Sequence, residues 1–259
     1  MRRALGLLIV AACSSPRGED PPAPSAQPTT APTSTAAPTK DAGPKDAGPH
    51  AANESLQRCA ASKGDLGSIA DAITRLNAIS GKGGDAACFV ATLPRPLAVV
   101  ATLNMGSAQP AGGRGAPRIF FMLPKLVVAA VPEGQGSTVL EFGEWTGTTT
   151  TIKGEIAMPV TVALAPDAAF KKVLQGNDRT TCATCHGQEA RHPTIPDAFV
   201  SLALKPTPAS ELSLEDLEEI HELCVKTELV SPRCNFFHAL FDFGEITQGA
   251  FSPVVGTFN

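Results

Sequence analysis

Apolar positions divide the chain into three stretches of different period. Leu66, Ile69, Ile73 and Leu76 recur at three- and four-residue spacing, and Gly81, Gly83 and Gly84 end the run, which predicts a helix over 65–79. From Ala87 to about Val162 the pattern changes to short β-branched segments broken by Pro or Gly: "CFVATL", "LAVVATLNM", "RIFFML", "LVVAAV", "TVLEF" and "TTTIKGEIAMPVTVAL". From Pro166 helical signals return. Asp167 is placed to cap "AAFKKVLQ", which Gly176 ends, and Asp197 to cap "AFVSLAL". Ser213 with Asp216 forms a capping box ahead of "LEDLEEIHELC", and Pro232 opens "PRCNFFHALF". The fold class expected is α+β. An antiparallel sheet or small sandwich over 53–165, with one N-terminal helix, precedes a mainly helical region over 166–259. The Gly-rich loops at 81–84 and 112–115 match no phosphate-binding template and read as turns.

The first 52 residues have no such period. Arg2 and Arg3 precede a short apolar run, Ala4 to Ala12, too short to span a bilayer, and small residues lead to Cys13. "VAAC" resembles a bacterial lipoprotein signal (residues 1–13). That resemblance implies cleavage before Cys13, acylation of its thiol and attachment to a membrane. Ser14 implies sorting to the outer membrane, facing the periplasm or the cell surface. Residues 14–52 are dominated by Pro, Ala, Thr, Ser and Gly, with too little apolar surface to offset the entropy of folding, so a disordered tether is expected. A net charge of −4, with no run of Lys or Arg, points away from nucleic acid.

An exported location makes the cysteines informative. The chain has 7 Cys and 5 His, and "CATCHG" at 182–187 places Cys182, Cys185 and His186 in the order Cys-x-x-Cys-His. Shuffling this composition would produce that order in roughly 0.4% of chains, so chance is a poor explanation. The two thiols stand about one helical turn apart, suited to the two vinyl groups on one haem edge, with an imidazole directly after them. A thioredoxin-like Cys-x-x-Cys would need a βαβ setting, and none is predicted here. The stretch resembles the attachment motif of the cytochrome c family, within residues 166–259. The resemblance implies one covalent haem c on Cys182 and Cys185, His186 as proximal iron ligand, and electron transfer or redox sensing with a redox partner protein. Single-haem members of the family commonly use a downstream Met as second ligand, but no Met follows Met158. His221 is therefore the expected second ligand, with His238 and His192 as alternatives.

His221 shares a predicted helix face with Leu217, Ile220 and Cys224, and His238 one with Cys234, Phe237 and Phe241. The simplest disulfide pairing joins Cys224 to Cys234 and Cys59 to Cys88, each within one predicted region. Seven of the 12 Phe fall in the last portion, from Phe199 onward, which suits a flat apolar cofactor and an ordinary core equally. The acidic run from Glu215 to Glu222 reads as a solvated helix face. No hydrolase motif occurs, and an electron carrier is favoured over an enzyme. Two alternatives remain. One is a disulfide-stabilised surface interaction module with no cofactor. The other is a zinc site on Cys182, Cys185, Cys224 and Cys234.

Overall fold

Strand alternation decides how the sheet is covered. The computed structural model describes residues 54–258 apart from positions 63 and 65; the predicted signal, Cys13 and all of the linker lie outside the described residues. Three helices come first: α1 (Glu54–Ala60), α2 (Ile69–Ile79) and α3 (Ala86–Ala91). Five strands follow: β1 (Leu97–Thr102), β2 (Arg118–Met122), β3 (Leu126–Ala130), β4 (Val139–Trp145) and β5 (Thr150–Ala157). Ile119 and Phe121 of β2, Leu140 and Phe142 of β4, and Ile152 and Ile156 of β5 enter one core. The residues between them, Arg118, Phe120, Glu141, Lys153 and Glu155, therefore project from the opposite face. β3 is buried along its whole length, so both of its faces are covered.

The second half of the chain weaves around this sheet. Helix α4 (Ala168–Val173) packs on β5, where Gly154 lacks the Cβ that would come to 3.0 Å from the Ala169 side chain. A hairpin of β6 (Leu174–Gln175) and β7 (Arg179–Thr180) leads to the short helix α5 (Ala183–His186). Then come β8 (Ala190–Arg191), β9 (Phe199–Leu202), β10 (Leu204–Lys205) and β11 (Glu211–Leu212). Helices α6 (Leu214–Thr227) and α7 (Pro232–Phe241) precede β12 (Ile246–Gln248) and β13 (Gly256–Thr257). The main sheet runs β11-β1-β2-β3-β4-β5-β9-β8, with β12 added parallel to β1 and every other pairing antiparallel.

The result is a mixed α/β body with one large, mainly antiparallel sheet and several helices, and the sandwich alternative is not seen. Several expectations need correction. Segment 166–259 is not a mainly helical region set apart from the sheet. Its strands β8, β9, β11 and β12 complete that sheet, so the boundary at 165/166 has no counterpart. Residues 198–204, expected as a helix capped by Asp197, contain β9, which pairs with β5 through Thr151↔Ser201. Within β9, Phe199 and Ser201 are buried and Val200 and Leu202 less so, and this period of two gains a partner only when the edge of β5 is available. Residues 88–93, expected as a strand, begin inside α3. The Asp85 side chain accepts the Cys88 N–H at 2.7 Å, and a short run buried on all sides carries no usable period. The helix expected at 65–79 starts at Ile69, because Ser68 and Asp71 form the capping box. The Ser213–Asp216 box and Pro232 open α6 and α7 as expected, whereas Asp167 makes no capping hydrogen bond and pairs with Lys171 at 2.6 Å.

Candidate functional site

The open face of the sheet forms the floor of a cleft that opens to solvent. Arg118, Phe120, Glu141, Trp145, Lys153 and Glu155 line the floor; Phe251 and Phe258 line a wall. Thr181, Cys182, Cys185 and His186 line the cleft as well, so helix α5 stands over the face that the other helices leave free. The all-buried β3 follows from this cover.

The loop carrying α5 is held at several points. Thr181 donates its N–H to the Val173 carbonyl at 2.8 Å. The Glu189 carboxylate accepts the Thr180 N–H at 2.7 Å and the Thr180 hydroxyl at 2.6 Å, and the Cys182 N–H reaches that hydroxyl oxygen at 3.1 Å. The Cys182 carbonyl accepts from the N–H groups of Cys185 and His186, at 3.1 and 2.9 Å, which makes one helical turn and sets both thiols and the imidazole on it. Gly187 leaves the turn at φ 77° and ψ −148°, a conformation essentially restricted to glycine, with nothing near its missing Cβ. Replacing Glu189 with Ala should strand the buried Thr180 N–H and loosen the loop locally. Amide hydrogen exchange at 180–187 should accelerate by about 5- to 30-fold, with little change in the sheet.

The imidazole is fixed in one tautomer. His186 Nδ1–H donates to the Leu202 carbonyl of β9 at 2.7 Å, so Nε2 carries no proton and its lone pair is free. Burial lowers the His186 pKa to about 4, with the nearby Lys153 and Arg118 charges acting in the same direction. The ring is therefore neutral in the folded protein above that value and protonated near 6.5 when unfolded. Between those values the unfolded chain binds more protons. Stability without bound cofactor should thus fall as pH drops from about 6.5 to about 4, by up to about 3 kcal/mol, and stay level below. Urea titrations of wild type and His186→Gln across that range would show the slope in the first and its loss in the second.

Cys182 rests as a thiol. Burial raises the Cys182 pKa to about 11, only partly opposed by its hydrogen bond to Thr180, so little thiolate exists at neutral pH. Burial also lowers the Lys153 ammonium to about 8. Arg118 pairs with Glu141 and lies 4.7 Å over the Phe120 ring. The floor is thus both charged and aromatic.

The remaining cysteines are bridged, Cys59 to Cys88 and Cys224 to Cys234, each with a Cα separation of 5.3 Å. Cys182 and Cys185 are free. Bridging consumes Cys224 and Cys234 and removes the four-thiolate zinc set.

Neither His221, the expected second iron ligand, nor its alternatives His238 and His192 line the cleft. His221 and His238 lie on α6 and α7, and α7 buries Phe236 and Phe237 in the core under the opposite face of the sheet, with Phe236 against Phe121. His192 Nδ1 accepts the Ile195 N–H at 3.1 Å and closes the turn after β8. Among the described residues, His186 is the only histidine lining the cleft, and no methionine lines it. Reading from sequence missed Glu189, the Leu202 carbonyl and the floor residues. Polar positions alternating with core positions in β4 and β5 were the available signal for an open, occupied face.

No family model, curated protein or solved structure matches the chain.

Proposed function

We propose that the protein binds one haem c in this cleft, through thioethers at Cys182 and Cys185 and proximal ligation by His186, and serves redox sensing or electron transfer as an exported lipoprotein. The observation that carries the proposal is the His186 geometry: Nδ1–H is committed to the Leu202 carbonyl, so Nε2 is left to bind iron beside two free thiols on the same helical turn. The surroundings fit the group. Phe120, Trp145, Phe251 and Phe258 supply apolar contact, while Arg118, Lys153 and Lys205 supply cations for its carboxylates. Each thiol adds across a vinyl group, sulfur to one carbon and hydrogen to the other, so no further reactant is needed. When bound, the haem supplies one-electron chemistry and an iron able to take a diatomic ligand.

The rest of the reading concerns residues 1–52. Acylation at Cys13 would tether the protein to the outer membrane, and the Pro-rich segment would let the body reach a redox partner. His186 is the chain's only imidazole or thioether lining the cleft among the described residues, which favours small-ligand sensing over simple electron transfer.

The test is expression with working haem maturation, followed by haem staining after denaturing electrophoresis and a reduced spectrum with and without carbon monoxide. A stained band and a spectral shift on adding the gas support sensing; a stained band with no shift supports a six-coordinate electron carrier. An unstained, colourless protein would reject haem binding and leave the cofactor-free interaction module, for which the two disulfides are weak support.

A further inference from the structure

The histidines absent from the cleft meet each other elsewhere. His221 Nε2 lies 2.8 Å from Asp242 Oδ1, and His238 Nδ1 lies 2.9 Å from Asp242 Oδ2. The three donor atoms lie within 4.8 Å of one another, and all three residues are half-buried. The two rings meet edge to face with centroids 5.3 Å apart, and Phe241 stacks on His221 at 5.1 Å. Side-chain exposures of 19%, 22% and 9% leave one side open to water.

We propose that His221, His238 and Asp242 form a binding site for a divalent transition-metal ion of the zinc–copper class, separate from the haem-type cleft. Two imidazole nitrogens and a carboxylate are the donor set of zinc sites that keep an open fourth position. The frame is rigid in the way a three-point site requires. The Cys224–Cys234 bridge ties α6 to α7 three residues after His221 and four before His238, which fixes the two rings across the helix pair. Asp242 is the C-cap of α7, held by its backbone N–H to the His238 carbonyl. Present donor separations of 2.8 and 2.9 Å are short for neighbouring ligands of one ion, so entry requires only a small outward rotation of the Asp242 carboxylate. Without metal, His221 Nε2–H and His238 Nδ1–H each donate to one oxygen of the Asp242 carboxylate. On metal entry each of these two protons leaves its nitrogen for solvent, the ring's remaining proton sits on the other nitrogen (Nδ1 of His221, Nε2 of His238), and water takes the open position.

The experiment uses the full exported chain with Cys182 and Cys185 either haem-bound or alkylated, so that neither thiol binds the added ion. Zinc is added in a calorimetric titration. The expected result is one Zn²⁺ per chain, a rise in Tm, and affinity reduced at least about 10- to 100-fold in His238→Ala and Asp242→Asn, with His192→Ala unchanged. Native chain that takes up no zinc, or equal uptake by His238→Ala and Asp242→Asn, would overturn the site. If those variants unfold, long-range ¹H–¹⁵N spectra of the native chain decide: zinc must shift the His221 Nε2 and His238 Nδ1 resonances, and unshifted resonances reject the site. Neither outcome depends on whether haem attaches.

Discussion

A chain carrying Cys182→Ser and Cys185→Ser together should lose all stain for covalent haem while remaining as stable as the parent chain without haem to within about 1 kcal/mol. The two halves of this expectation have separate grounds. Attachment requires sulfur, and a serine hydroxyl forms no thioether with a vinyl group, so the loss should be complete rather than partial. Stability should hold because neither thiol is bridged, Cys185 is exposed, and α5 contributes no residue to the main core. Serine is close in size, and its hydroxyl at 182 can be solvated at the cleft. The single variants should retain some stained protein, because one thioether can persist alone. His186→Gln gives the complementary result: attachment through both cysteines, but a changed reduced spectrum from loss of the imidazole ligand. A cofactor-free reading predicts no stain in any of these chains. Together the set separates attachment from ligation without relying on an activity assay.

The sequence carried the local geometry of this site better than its architecture. Cys-x-x-Cys-His is local, so one helical turn suffices to bring its two sulfurs and its imidazole together, and α5 is that turn. The Ser213–Asp216 box is equally local and formed as expected. Features set by distant pairing were not legible. The "AFVSLAL" segment has both helical and alternating character, and the edge of β5 selected between them. The Leu202 carbonyl that orients His186 belongs to β9, so reading that segment as a helix concealed the tautomer control along with the strand. The meeting of His221 and His238 could be expected from their faces and the bridge, yet their partner proved to be Asp242 rather than the cleft. Helix periodicity fixes which residues share a face; it does not fix which side of a sheet that face will cover.

Removing the Cys59–Cys88 bridge, as Cys59→Ala with Cys88→Ala, should lower stability by about 3.6 kcal/mol from loop entropy alone. The 29-residue separation sets that figure, and both sulfurs are fully buried, so cavities at the alanines should add to it. For a body of this size the change corresponds to a fall in Tm of about 7 to 14 °C. The bridge joins α1 to α3, and α3 packs on α7, so its removal loosens the N-terminal helix against the core rather than the cleft. The Cys224–Cys234 bridge spans 10 residues and should cost about 1 kcal/mol less by the same formula. Thermal denaturation followed by circular dichroism checks both values and their order. The pairing also shows why Cys88 could be matched correctly although its element was expected to be a strand. A disulfide constrains the separation of two backbone positions, here 5.3 Å between Cα atoms, and a helix can meet that constraint as readily as a strand. If the double alanine chain melts within a degree or two of wild type, α1 is held by its apolar contacts through Leu56 and not by the bridge. Haem attachment in that variant should be retained below its lowered Tm, since the loop of α5 is anchored by hydrogen bonds to α4, β7 and β9, whereas the bridge joins α1 to α3.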